Sequence, residues 1–105
     1  MITDELLLAN GYKEYEDTFY HADCLFQKRI RDEMGRTMYF INFYKYKENY
    51  EVELSLDMEE YAMSTKWYAF SPVGKVNLEV AEKWVYDLWC KMGCPYYEKE
   101  EEENE

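Results

Sequence analysis

The sequence predicts an α+β domain: a short N-terminal helix, an antiparallel sheet of three to four strands, and a C-terminal helix packed on one face. Three observations carry this. A capped leucine segment opens the chain, the middle is rich in aromatic and β-branched residues broken by turn signals, and an apolar stripe at helical spacing comes near the end. Helices at the two ends of a run of strands give an antiparallel sheet with the longer, C-terminal helix covering one face.

Thr3 is placed to cap the first helix, Asp4 and Glu5 favour its first turn, and Gly11 offers the left-handed stop. So short a helix is not stable alone, so Leu6, Leu7 and Leu8 must supply a docking face. Residues 18–31 and 36–46 read as two strands, with a turn at residues 32–35 in which Gly35 takes positive φ. The link at Lys47, Glu48 and Asn49 predicts a second hairpin. In the strand that follows, Tyr50, Val52, Leu54 and Leu56 alternate with Glu51, Glu53 and Ser55, so the apolar set faces in and the polar set faces out. Residues 66–70 read as a short fourth strand. Asn77 then caps a helix to about Met92, with Leu78, Ala81, Val85, Leu88, Trp89 and Met92 on one stripe; Gly93 and Pro95 end it.

At 105 residues the chain is long enough to bury a core without metal or disulfide, and residues 1–97 are expected to form one domain. Residues 98–105 hold six acids and no apolar anchor, which predicts a disordered acidic tail. Twelve tyrosines suit half-buried sheet faces and contact surfaces, since each ring carries a polar tip. The formal charge of -11 argues against direct binding to DNA, RNA or anionic membrane and favours basic partners. No stretch approaches the roughly 18 apolar residues of a membrane span, and the acidic start lacks the positive region of a secretory signal. An odd count of three cysteines fits reduced thiols in a cytoplasm.

His21 and Cys24 form an H-x2-C pair, and Cys90 and Cys94 a C-x3-C pair. Together they make a Cys3His set of the kind that suits tetrahedral zinc, an alternative to the expectation that the chain needs no cofactor. Against it, Cys90 points away from the apolar stripe and Cys94 lies beyond the helix end. A Cys–His dyad from His21 and Cys24 alone is disfavoured, because an odd offset on a strand puts the two on opposite faces, which leaves a meeting of either with Cys90 or Cys94 in space as the alternative. No phosphate-binding glycine loop, nucleophile elbow or paired-His motif occurs, so the sequence gives no reason to expect an enzyme.

Charge segregation is more informative. Residues 24–47 carry Lys28, Arg29, Arg31, Arg36, Lys45 and Lys47, whereas residues 48–65 carry only acids: Glu48, Glu51, Glu53, Asp57, Glu59 and Glu60. Cross-strand pairing with the basic hairpin is one reading. In the other, Glu51 and Glu53, roughly 6.6 Å apart on one solvent face, extend with Glu59 and Glu60 into a negative row that imitates phosphates.

Asn10-Gly-Tyr-Lys-Glu-Tyr15, Lys28-Arg-Ile-Arg-Asp-Glu-Met-Gly35 and Met38-Tyr-Phe-Ile41 give the chain a resemblance to small acidic proteins encoded by bacteriophages and prophages. Some proteins of that kind inhibit host defence, among them anti-CRISPR and anti-restriction proteins, and several of those are DNA mimics. The resemblance implies a non-enzymatic inhibitor in the bacterial host cytoplasm, whose partner is a basic nucleic-acid-binding protein such as a CRISPR or restriction nuclease. The acids from Glu48 to Glu60 are the expected contact, with tyrosines as apolar anchors. Alternatives are a zinc-stabilised regulatory module and a homodimer that packs its surplus aromatics across a shared sheet face.

Overall fold

The structure, a computed structural model, describes residues 1–17, 20–56, 70–72 and 76–95, with backbone alone for 70–72. Its elements run α1 (Asp4–Ala9), β1 (Lys13–Tyr15), β2 (Cys24–Arg31), β3 (Thr37–Tyr46), β4 (Asn49–Ser55), β5 (Phe70–Pro72) and α2 (Leu78–Lys91). The five strands form an antiparallel sheet in the order of the chain, and the α+β architecture read from the sequence holds. The sheet gains a strand at its β1 edge, where the polar triplet Lys13, Glu14, Tyr15 carries no apolar alternation to announce it. Of the strand expected at 66–70, only Phe70 falls within the described residues, at the start of β5; the acidic tail lies outside them.

Both helices begin and end as their sequences dictate. The Thr3 hydroxyl accepts from the Leu6 amide at 3.1 Å, and the Asn77 side chain accepts from the Val80 amide at 2.9 Å. At the other ends one motif recurs. The amides of Tyr12 and Cys94 reach back to the carbonyls of Leu7 and Trp89, and those of Gly11 and Gly93 to Leu8 and Cys90. Gly11 and Gly93 both sit at φ 92°, which only glycine adopts without strain.

The hairpins are set by their turns. Between β2 and β3 the Asp32 carboxylate accepts from the Met34 and Arg36 amides, each at 2.9 Å, and pairs with the Arg36 guanidinium. Between β3 and β4 a two-residue loop needs positive φ at its first residue, and Lys47 takes φ 60°. Of the strand expected from residue 18, residues 20–23 are not strand and β2 begins at Cys24. Ahead of it the Asp17 carboxylate accepts from the amides of Tyr20 and Ala22, and His21 adopts φ 60°, which turns the chain before it joins the sheet.

α1 and α2 lie on the same face of the sheet. Phe26, Tyr39, Ile41, Phe43, Val52 and Leu54 project toward them and meet Leu7, Tyr12, Ala81, Val85 and Trp89 in one core. Tyr12 stacks edge-on against Phe43 with ring centroids 5.3 Å apart, and Trp89 packs on Tyr39 at the same distance. Of the three leucines expected to dock α1, Leu7 is buried and Leu8 is exposed. On α2 Trp89 is buried as expected, while Leu88 is half-buried at the core's margin.

Candidate functional site

The face of the sheet turned away from the helices holds the most unusual chemistry in the molecule. β3 reads Met38, Tyr39, Phe40, Ile41, Asn42, Phe43, Tyr44, with no polar alternation, and Phe40, Asn42 and Tyr44 on this outer face are buried. A strand buried on both faces burdens its neighbours with the same condition. Across from Asn42 stands Glu53, and across from Phe40 stands Ser55. Both are buried, Glu53 at 0% exposure.

This corrects the sequence reading of β4. Tyr50, Val52, Leu54 and Leu56 do face the core, but Glu53 and Ser55 do not face solvent. Glu53 is therefore no part of an acidic binding row. Its Oε1 accepts from Asn42 Nδ2 at 2.6 Å and from the Tyr44 hydroxyl at 2.9 Å, and its Oε2 accepts from the Tyr20 hydroxyl at 3.2 Å. Asn42 in turn accepts from Gln27 Nε2 at 3.1 Å, so a polar ladder crosses β2, β3 and β4 in register. Burial pushes the Glu53 carboxyl up; the three hydrogen bonds oppose this and the Asp17 charge adds to it. Burial likewise pushes the Tyr44 phenol up, reinforced by Glu53. Tyr20 packs edge-on against Tyr44, centroids 5.0 Å apart, over this carboxylate.

Of the other expected contact residues, Glu48 is exposed in the turn after β3 and Glu51 is half-buried on the outer face. Asp57, Glu59 and Glu60 lie outside the described residues. The structure gathers a different set of carboxylates at the end of the sheet where α1 begins. Asp4 binds Lys45 Nζ at 2.8 Å and accepts from the Tyr50 hydroxyl, and Asp23 accepts the Lys47 amide at 2.6 Å. Asp4, Glu5 and Glu48 line one groove there with Lys45 and Lys47. Burial pulls the Asp4 carboxyl up, but hydrogen bonds from Lys45 and Tyr50 outweigh it and leave Asp4 below its ordinary value. Cys24 reports the local field: burial and then the charges of Glu14, Asp4 and Asp23 raise its thiol, against Lys45.

The four residues of the zinc alternative are not brought together. Cys24 sits opposite Lys45 at the start of β2, and His21 is exposed in the loop before it. Cys90 neighbours Tyr39, which pairs with Ile30, six residues further along β2 or about 20 Å by strand rise. Among the described residues no group of three or more His, Cys, Asp or Glu is placed to hold a metal. Cys90 and Cys94 do adjoin each other, with Tyr86 beside them; burial and contact with Cys90 raise the Cys94 thiol.

Sequence reasoning missed Gln27, Asn42, Tyr44 and Tyr20 as a unit. The signal was the run of β3, apolar and aromatic but for Asn42 in its middle, which places buried residues opposite Glu53. No family model, curated protein or solved structure matches the chain. Among the described residues no helix is long and apolar enough to cross a membrane.

Proposed function

We propose that the chain is a non-enzymatic inhibitor of the phage type, acting in a bacterial host cytoplasm on a basic nucleic-acid-binding protein such as a defence nuclease. The contact runs through the carboxylate-rich end of the sheet and not through a β4 face. The observation that supports this is convergence: Asp4 and Glu5 from α1, Glu14 from β1, Asp23 from the loop before β2 and Glu48 from the β3–β4 turn. Four of the five are exposed. Carboxylates held on separate elements of one fold present negative charge at fixed spacing.

The test is a triple reversal of Glu5, Glu14 and Glu48 to Lys, chosen because Asp4 and Asp23 also hold the fold together. In a pull-down from bacterial lysate the reversal should lose a nucleic-acid-binding partner that the wild type retains and separates from its nucleic acid. Binding should weaken as salt rises, since exposed charges are screened over about 8 Å at physiological ionic strength. Reversal of Glu33 and Glu79, exposed elsewhere, serves as the control. Retention of the partner by the triple variant would sink this reading.

A further inference from the structure

Tyr86, Cys90 and Cys94 follow one another at four-residue intervals, the spacing that lines up side chains on one face of a helix. α2 ends at Lys91, however, so the helix itself does not carry Cys94 onto that face. The stop does. The Cys94 amide donates to the Trp89 carbonyl at 3.1 Å and the Gly93 amide to the Cys90 carbonyl at 3.0 Å, which folds the chain back over the last turn. Gly93 and Cys94 take φ 92° and 53°, and the second is a value that a residue with a Cβ seldom adopts. Beyond Cys94 the Trp89 indole donates to the Pro95 carbonyl at 2.9 Å, so the chain is pinned on both sides of the cysteine. The result is a hydrogen bond between the Cys94 and Cys90 thiols and another between Cys90 and the Tyr86 hydroxyl.

Core packing does not account for Cys94. After α1 the same motif ends on Tyr12, whose ring is buried; Cys94 is exposed, against a half-buried Cys90. A cysteine that serves as a small apolar filler is buried. Thiol–disulfide exchange instead needs one sulfur that a reagent reaches and a second within reach of the first. Cys24, the third cysteine, lies at the far end of the sheet, about 20 Å away by strand rise, and does not compete.

We infer that Cys90 and Cys94 are a redox pair that a small-molecule disulfide of the glutathione class closes into an intramolecular bond and that the corresponding thiol reopens. The Cys94 sulfur, as thiolate, attacks one sulfur of oxidised glutathione and expels one glutathione thiolate. Cys90, as thiolate, then attacks the Cys94 sulfur and expels the second. The pair gives up two protons and two electrons, and the reagent takes up both as two molecules of reduced glutathione. Partial desolvation, and then the hydrogen bond to Cys90, push the Cys94 thiol up, so the first step quickens as pH rises. Neither sulfur belongs to the carboxylate-rich end of the sheet, so the pair stands or falls apart from the proposed protein contact.

The experiment incubates the full chain with oxidised glutathione at mildly alkaline pH, blocks the remaining thiols with an alkylating agent and maps the product with trypsin. Lys91 lies between the two cysteines, so cleavage after it leaves peptides 84–91 and 92–99 joined only by the disulfide. That cross-linked pair should be the main oxidised product and should vanish on return to reduced glutathione. Cys94→Ser and Cys90→Ser should each stop at one glutathione on the cysteine of the pair that remains, and Cys24→Ser should form the cross-link as the wild type does. Should Cys90→Ser misfold by circular dichroism, Cys94→Ser, at an exposed site, carries the comparison. At a fixed ratio of oxidised to reduced glutathione, disulfide over dithiol should be about tenfold higher in the folded chain than in urea, since the fold already holds the sulfurs together. Glutathione that accumulates on Cys94 of the wild type without the cross-link overturns the inference, as does a cross-link through Cys24. An equal ratio in the folded chain and in urea overturns it too, since sequence spacing alone would then close the bond.

Discussion

Asn42 and Glu53 face each other across β3 and β4, and Asn42 Nδ2 donates a 2.6 Å hydrogen bond to Glu53 Oε1 in the buried layer of the outer face. With Tyr44 and Tyr20 as further donors, this carboxyl accepts from three side chains of two segments, β3 and the loop before β2. A carboxylate in such a position organises structure and does not present charge to a partner.

Glu53→Ala should therefore be among the most destabilising single changes in the sheet. It strands the donors of Asn42, Tyr44 and Tyr20, and a buried polar group without a partner costs roughly 1–3 kcal/mol. Glu53→Gln keeps an acceptor oxygen and should cost much less. Urea melts of the two variants check the ordering; equal losses would show that shape and not hydrogen bonding sets the cost.

The same group should leave a signature in pH. Its folded-state pKa lies above the ordinary carboxyl value of 4.5, so the folded chain holds the proton more tightly than the unfolded one. The stability from this group is fully present below that ordinary value and is lost as pH rises through the folded-state pKa. Asp4 and Asp32 run the other way, their folded pKa values being lowered, with stability present above their ordinary value of 3.8 and lost as pH falls. The difference between wild type and Glu53→Gln isolates Glu53. From pH 4.5 upward the wild type should lose stability relative to the variant. A pH-independent difference would contradict the burial of an ionisable Glu53.

Leu7 and Leu8 are adjacent and should respond very differently. Leu7 is fully buried and its truncation to alanine should cost roughly 2–5 kcal/mol. Leu8 is 48% exposed, and the same change there should stay within about 0.5 kcal/mol. Thermal melts of the pair check the rotation of α1 on the sheet.

A chelator should leave the melting temperature unchanged. His21 and Cys24 lie at one end of the sheet, and Cys90, in the last turn of α2, and Cys94, just past its end, lie at the other. A drop in melting temperature with about one equivalent of zinc in the purified protein would require a rearrangement that joins them.

Caps and stops were legible because they are local. Thr3, Gly11, Asn77 and Gly93 act within four residues of themselves, and each does what its position implies. The hairpin turns at Gly35 and Lys47 follow for the same reason. Glu53 was misread because period-two alternation tells which residues share a face, not whether the opposite face is wet. That depends on the loop carrying Asp17 and Tyr20, whose packing no pattern within β4 records. The acidic end was not legible either, since Glu14, Asp23 and Glu48 are neighbours only through strand register.

The Tyr12 hydroxyl donates to Glu82 at 2.7 Å, joining the segment after α1 to α2 across 70 positions of sequence. The described strands between them form a meander in which each pairs with its sequence neighbours. Such hairpins close short loops and form early, whereas the two ends of the chain must find each other across a long one. The order of assembly follows from this: β2, β3 and β4 nucleate, and α2 docks last. Mutational φ-values should then be high at Phe43 and Val52 and near zero at Val85, and amides of α2 should exchange through an opening that leaves the sheet closed.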